Sequence, residues 1–266
     1  MFDRFHRKIH YLRISVTDRC NLRCRYCMPE EGVKFYSKSE VLSYEEIQQV
    51  VEVAAEMGID KIRLTGGEPL VRKDIVDLVK LIAETPGVND LGLTTNGLLL
   101  DELALPLKKA GLRRVNISLD TLSPEKYLTI TRGGDLNKVL SGIKAAQKVG
   151  LNPIKINCVV KYNCEETDAT EVAKFGKENG LEVRCIKQMD LENGFFGIVH
   201  GGTGGDCTQC NRLRLTSNGM VKPCLFSNSE YSIRQYGIRE ALLLALNAKP
   251  EKGECNISSC FHNIGG

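Results

Sequence analysis

Short β-branched apolar runs alternate with helix-length periodic segments along the first two thirds of the chain, a pattern that admits few folds other than a parallel β/α architecture. Residues 10 to 16 read as a first strand. Ser43 to Met57 (SYEEIQQVVEVAAEM) has helical periodicity with acidic residues near its start, which complement the helix dipole, and Gly58 ends it. The alternation continues with IDKIRL and a helix from Ile75 to Ile82, then NDLGLT and DELALPLKKA, then RRVNISL and a helix near Leu136 to Val149. PIKINCVV, a helix near Thr167 to Asn179 and a sixth strand at Leu181 to Ile186 complete it, with Gly58, Gly111, Gly150 and Gly180 at helix ends. A flat doubly wound sheet and an open (β/α)6 partial TIM barrel both satisfy this order. Polar residues recur at the C-terminal ends of successive strands, which favours the open barrel.

Beyond residue 190 the pattern changes to glycine-rich loop, paired cysteines and a hairpin-like stretch, RLRLTSNGMVKPCLF, with Asn218-Gly219 as its turn. The expected division is therefore a barrel domain, 1–190, and a small cysteine-pinned appendage, 191–266, onto which a final helix, Ser232 to Asn247, packs. Thirty-six basic and 33 acidic residues leave a formal charge of +3, so no general nucleic-acid or membrane surface is expected and any basic site is local. No apolar segment of signal-peptide length follows Arg4, Arg7 and Lys8, and Ala241 to Leu246 is far too short to span a bilayer. A cytoplasmic location fits. Eleven cysteines cannot all pair within one monomer, and clustered cysteines in a reducing compartment point to metal or redox chemistry.

In DRCNLRCRYCMPE, Cys20, Cys24 and Cys27 stand just beyond the first strand. Three thiolates can ligate three irons of a cubane and leave the fourth iron open to an exogenous ligand. Structural zinc is the alternative, but it ordinarily takes four ligands in paired spacing, and no fourth lies beside this loop. Tyr26 is placed to cover one face of a cluster or of its ligand.

The CxxxCxYC loop, followed after the second strand by Thr65-Gly66-Gly67-Glu68-Pro69, resembles the radical S-adenosylmethionine superfamily. The resemblance implies a [4Fe-4S] cluster on the three cysteines, with the amino and carboxylate groups of S-adenosylmethionine on the unique iron. Gly66 and Gly67 would let backbone approach the methionyl amine, and a carbonyl or Glu68 would accept from it. Thr94, Asn96, Ser118 and Asp120 fall at the ends of strands three and four, where they reach toward the cofactor; helix capping is the competing role for Ser118 and Asp120.

Cys207 and Cys210 form CxxC, and Cys224 follows across the hairpin, again three ligands for a second [4Fe-4S] cluster with an open iron. A four-cysteine zinc site recruiting Cys255 or Cys260 stays open. Between these ligands Arg212 and Arg214, two apart in an extended segment, share a face, as do Lys61 and Arg63 on strand two. Arg13, Lys155 and Arg184 lie on strands one, five and six. Singly, each is an ordinary solvated or paired side chain. Together they would be costly unless an anion neutralised them, and arginine forks match phosphate oxygens, so a nucleoside triphosphate is the expected ligand. No GxxxxGK[ST] loop is present, which excludes an ordinary P-loop hydrolase.

With LRISVTDRCNLRCRYCMP, KIRLTGGEPLVRKDI, TTNGLLL, AGLRRVNISLDTL, KINCVV, CNRLRLTSNGMVKPCLF and a terminal GG, the chain is similar to the GTP 3',8-cyclase family of molybdenum-cofactor biosynthesis. That resemblance implies radical removal of the 3' hydrogen of GTP and closure onto guanine C8, giving 3',8-cyclo-7,8-dihydro-GTP. It also implies that Arg13, Lys61, Arg63, Lys155, Arg184, Arg212 and Arg214 bind GTP, that Met189 lies near S-adenosylmethionine, and that Gly265 and Gly266 enter the active site. On composition alone that glycine pair reads as a frayed tail. A low-potential electron donor and product handover to cyclic pyranopterin monophosphate synthase follow as partners.

Three features depart from the family pattern. Only Asp190 to Asp206 separates strand six from the second CxxC, Lys187 stands where an acidic residue is usual, and Cys158, Cys164, Cys185, Cys255 and Cys260 are additional, most of them expected as free thiols. A radical enzyme acting on a peptide, with an auxiliary electron-transfer cluster, and a noncatalytic iron-sulfur or zinc module are the competing functions. His6, His10, His200 and His262 show no paired metal-ligand spacing.

Overall fold

In the computed structural model, which describes residues 1–190, 196–202 and 204–254, six parallel strands follow one another in chain order. They are β1 (Tyr11–Ser15), β2 (Lys61–Thr65), β3 (Asp90–Thr95), β4 (Arg114–Ser118), β5 (Ile154–Val160) and β6 (Glu182–Lys187). The intervening helices are α1 (Tyr44–Glu56), α2 (Ile75–Ala83), α3 (Leu100–Lys109), α4 (Pro124–Thr131), α5 (Leu136–Lys148) and α6 (Thr167–Glu178). Local chemistry starts them: Ser43 and Glu46 close a reciprocal capping box on α1, and Asp135 caps α5. The short helix α4 was not anticipated. Ser123 accepts from the Lys126 amide and Pro124 opens the first turn, a start signal too brief to register as periodicity.

Alternate strand residues decide the two faces of the sheet. Leu12, Ile14, Ile62, Leu64, Leu93, Val115, Ile117 and Ile156 are fully buried and form the core with the helices. A parallel sheet is ordinarily apolar on both faces, and a closed barrel fills its interior with branched aliphatics. Here the opposite face carries Tyr11, Arg13, Lys61, Arg63, Thr94, Arg114, Asn116, Lys155, Asn157 and Arg184. That side is built to hold something other than protein.

The chain then returns to the beginning of the sheet. Strand β7 (Arg212–Leu215) pairs parallel with β1, placing Tyr11 beside Arg212 and Arg13 beside Arg214. Strand β8 (Met220–Lys222) turns back through Asn218-Gly219, where Gly219 takes a positive φ of 86°, and β9 (Tyr231–Ser232) ends a mixed nine-stranded sheet. The single final helix expected from Ser232 to Asn247 is divided at Gly237 into α7 (Ile233–Tyr236) and α8 (Ile238–Asn247). Helix α8 buries Ala241, Leu242, Ala245 and Leu246 and packs on α1 as well as on the hairpin. Arg234 and Arg239 are paired there with Glu46 and Glu56 of α1.

Beyond β6, residues 196–202 run back along that strand, His200 exchanging backbone hydrogen bonds with Cys185 at 3.2 Å. Free thiols were expected at most of the additional cysteines. Cys158 is free and buried, whereas Cys164 and Cys185 are joined by a disulfide that ties the β5–α6 loop to β6. Among the described residues no helix is long and apolar enough to cross a membrane.

Candidate active site

The loop after β1 is held by the turn after β2. The Gly67 and Glu68 amides donate to the Thr17 and Arg19 carbonyls at 2.8 Å, and a Cβ on Gly66 or Gly67 would lie 2.6 Å from the Thr17 oxygen or 2.3 Å from the Arg19 oxygen. The glycines are therefore needed for close approach to the cysteine loop itself, a contact that the sequence reading did not supply. Glu68 is 1% exposed; its Oε1 accepts from Thr95 Oγ1 at 2.7 Å and from the Leu70 amide at 3.0 Å, its Oε2 from the Asn96 amide at 2.7 Å. Its carboxylate thus braces the ends of β2 and β3. Burial pushes its pKa up to about 7 despite those three donors.

Cys20, Cys24 and Cys27 line one cavity together with Tyr26, Gly66, Gly67, Glu68, Thr94, Asn96, Ser118 and Met189. The residues expected around S-adenosylmethionine thus face one space, except Asp120, which stands behind Tyr26 and lines a separate cavity. Asn96 Nδ2 lies 3.9 Å from Cys20 Sγ. Asp120 accepts from the Tyr26 hydroxyl and the Val159 amide, both at 2.8 Å, so it fixes the ring beside the cysteines and caps no helix. Lys187 and Gln188 complete the wall where β6 ends. The three thiols are free; burial and then mutual repulsion push Cys24 up to about 12, and the same causes raise Cys27. Three anionic ligands crowded at such a place suit a cationic iron core.

A second cavity adjoins the first, and Thr94, Asn157, Ile186 and Met189 line both. Seven cationic side chains surround it: Arg13, Lys61, Arg63, Arg114, Arg184, Arg212 and Arg214. Gly92 stands between Arg63 and Arg114 in register, and a Cβ there would meet both at about 3.5 Å. Asp90 takes up part of the charge, holding Arg114 through both oxygens at 2.5 and 2.7 Å and Lys61 at 3.4 Å. Burial, then the neighbouring Arg212, brings Arg214 down to about 10; burial, then Arg214, lowers Arg13 strongly. Tyr11 lies among them, its hydroxyl receiving Arg63 Nε at 2.7 Å. Burial opposes its ionisation, yet Arg63, Arg13, Arg212 and Lys61 bring the phenol down to about 8.

Six of the seven expected phosphate-binding residues line this cavity. Lys155 does not: its Nζ pairs with Glu182 on the adjacent strand. Tyr11, Arg114, Asn116 and Asn157 were missed, although each occupies the inward phase of a strand whose alternate residues are apolar.

Cys207, Cys210 and Cys224 line a third cavity, which shares Phe196, Arg212 and Arg214 with the second. All three thiols are free. Lys249, 1% exposed, donates to the Arg212 and Pro223 carbonyls at 2.8 Å and stands beside the cysteines. Burial alone would raise Cys210, but Lys249 and Arg212 outweigh it and bring the thiol below its ordinary value. Arg7 anchors this region from the N-terminus: paired with Asp3 at 2.6 Å, it donates to the Cys207, Pro250 and Glu251 carbonyls at 2.7 to 2.8 Å. Among the described residues no group of three or more His, Cys, Asp or Glu side chains is gathered to hold a single metal ion. Gly265, Gly266, Cys255 and Cys260 lie outside the described residues.

Residues 14–175 match the model of the Radical SAM superfamily. The fold is like that of anSMEcpe with bound AdoMet (TM-score 0.68, 19% identity, 91% of this chain and 80% of that one). It is also like that of Streptococcus suis SuiB bound to S-adenosylmethionine (0.64, 15%, 86% and 64%). Among curated proteins, the chain is 42% identical to the GTP 3',8-cyclase of Peptoclostridium acidaminophilum over 301 aligned positions, covering 95% of this chain and 93% of that protein. It is 40% identical to that of Petrotoga mobilis, with 94% of each covered. An alignment longer than this 266-residue chain means that the relative carries segments absent here. With its cysteine loop, glycine turn and basic cavity joined in one site, the chain belongs to the GTP 3',8-cyclase family of the radical SAM superfamily.

Proposed function

We infer that this chain is a GTP 3',8-cyclase of molybdenum-cofactor biosynthesis, forming 3',8-cyclo-7,8-dihydro-GTP with a [4Fe-4S] cluster and S-adenosylmethionine. The observation that carries this reading is the sequence of three cavities: cysteine-lined, then basic, then cysteine-lined, each sharing wall residues with the next. When bound, the first cluster and S-adenosylmethionine supply the 5'-deoxyadenosyl radical that removes the 3' hydrogen of GTP. The protein's work is to hold the two reactants edge to edge and to keep competing hydrogen donors out.

In this reading Cys20, Cys24 and Cys27 hold the cluster, while Tyr26, Gly66, Gly67, Glu68, Thr94, Asn96, Ser118 and Met189 surround the sulfonium cofactor. Arg13, Lys61, Arg63, Arg184, Arg212 and Arg214 take the triphosphate, whose charge relieves their mutual repulsion. Lys155 joins them only on leaving Glu182. Cys207, Cys210 and Cys224 would hold a second [4Fe-4S] cluster in the 191–266 part, which would supply a site for an electron-rich group of the substrate, and Phe196 and Val199 exclude water between the two parts. A low-potential cytoplasmic donor supplies the electron, and the product passes to cyclic pyranopterin monophosphate synthase. Anaerobic reconstitution with reductant, S-adenosylmethionine and GTP tests the reading by mass analysis. We expect 5'-deoxyadenosine together with a cyclised triphosphate isomeric with GTP. 5'-Deoxyadenosine without a GTP-derived product would overturn the assigned substrate.

A further inference from the structure

The basic cavity contains two features that phosphate binding leaves unused. Asn116 is 4% exposed and its Oδ1 is buried without a hydrogen-bond partner; Asn157 Oδ1, on the neighbouring strand, is in the same condition. Seven cationic side chains line the cavity, yet none donates to either oxygen. Among the described residues no carboxylate lines it, the Tyr11 hydroxyl accepts from Arg63 at 2.7 Å, and Thr94 Oγ1 lies 3.5 Å from the same guanidinium. A buried amide oxygen left unmatched costs free energy, and a triphosphate, having only acceptors at neutral pH, does nothing to satisfy it.

The oxygens call for a ligand that brings hydrogen-bond donors, and a nucleotide has them on its ribose and on its base. Position decides between the two. In register Asn116 stands beside Thr94, and Asn157 stands between Ser118 and Arg184. Thr94 and Asn157 are common to the basic cavity and the cysteine-lined cavity next to it. Whatever part of the substrate surrenders hydrogen to chemistry launched from the first cavity has to stand at that junction, and for a ribonucleotide that part is the sugar.

Resting on the cyclase reading above, we propose that Asn116 and Asn157 are ribose-recognition residues, whose amide oxygens accept hydrogen bonds from the 2' and 3' hydroxyls of GTP. They hold the sugar at the junction and reject deoxyribonucleotides. The arginines bind every nucleoside triphosphate; the two amides choose the sugar.

The test is equilibrium binding to anaerobically reconstituted holoenzyme without reductant, with GTP, 2'-deoxy-GTP, 3'-deoxy-GTP and inosine triphosphate as probes. Wild type is expected to prefer GTP to each deoxy analogue by about tenfold, the worth of one buried hydrogen bond. Asn116→Leu and Asn157→Leu should weaken GTP binding by about that factor and bring GTP level with one deoxy analogue, while iron content stays at the wild-type value. Asn116→Asp keeps the volume and the acceptor and should keep the discrimination, which separates lost recognition from damaged packing. Undiminished ribose preference in both leucine variants would overturn the proposal, as would its loss in the aspartate variant, or a preference lost against inosine triphosphate instead. Failure of the cyclase reading shows separately, as a wild-type protein that binds no GTP.

Discussion

The two cysteine trios offer the same ligand arithmetic in opposite electrostatic settings. Around Cys24 and Cys27 the charged neighbour is acidic: after burial and mutual repulsion, Asp120 adds to the cost of a negative charge, and at Cys20 Glu68 does the same after burial, with Arg23 as a weaker counterweight. Around Cys210 and Cys224 they are basic, and Lys249 with Arg212 and Arg214 works against burial. A cluster gaining an electron gains negative charge, so acidic surroundings lower its reduction potential and basic surroundings raise it. Were clusters seated on both trios, as proposed, the first would be the readier to give an electron away and the second to keep one, or to attract an electron-rich ligand.

Removing one trio at a time tests that division most severely. Replacing Cys20, Cys24 and Cys27 with alanine should cut iron from about eight to about four per chain and abolish 5'-deoxyadenosine formation. Replacing Cys207, Cys210 and Cys224 should remove the same amount of iron, leave S-adenosylmethionine cleavage measurable and eliminate cyclised product. Equal loss of cleavage in both variants would erase the contrast.

Lys249→Met sharpens it. Removing a buried cation beside the second trio should lower that cluster's potential by on the order of 100 mV and leave the first unchanged, read by redox titration with electron paramagnetic resonance. Lys249→Arg, which keeps the charge, should restore most of the shift. A potential unmoved in Lys249→Met would assign the side chain to its two carbonyl contacts alone.

The smallest expected effect concerns Tyr11, which lies between the two settings. Its phenol is brought from an ordinary 10.0 to about 8, so from pH 8 to 10 the unfolded chain binds more protons than the folded one and stability rises with pH. A phenolate also competes with the triphosphate for the same cations. GTP affinity should therefore fall severalfold between pH 7 and 9 in wild type and stay flatter in Tyr11→Phe, measured by titration calorimetry. Parallel pH profiles would remove Tyr11 from the anion site.

Much of this was legible because local chemistry and function coincide. Helix starts such as Ser43 with Glu46, the Asn218-Gly219 turn and both trios are short-range patterns, readable without knowing what lies across the sheet. What escaped depends on partners distant in sequence. Arg7 looked like one more basic residue near the N-terminus, yet it is the buried clamp on the second cysteine loop. Cys164 and Cys185 have no ligand spacing and meet only because β6 returns beside the β5–α6 loop. Asn116 and Asn157 carry no charge to draw notice; their meaning lies in unmet acceptors, which only a packed structure shows.

The parallel pairing of β7 with β1 has a consequence for how the chain is made. The strand that covers that edge of β1 is translated roughly 200 residues after it, so at ordinary elongation rates β1 waits about 10–40 s on the ribosome with one edge unpaired. An open edge is a template for the wrong strand, and it is the same edge along which Arg13 and Arg214 later stand side by side. The N-terminal cysteines leave the ribosome as a complete set during this interval, whereas the second set does not exist until the sheet is ready to close. The first trio is thus available for cluster loading before the proposed second one exists, and a message truncated before residue 212 would leave the N-terminal cysteine loop complete but the β1 edge without its partner strand.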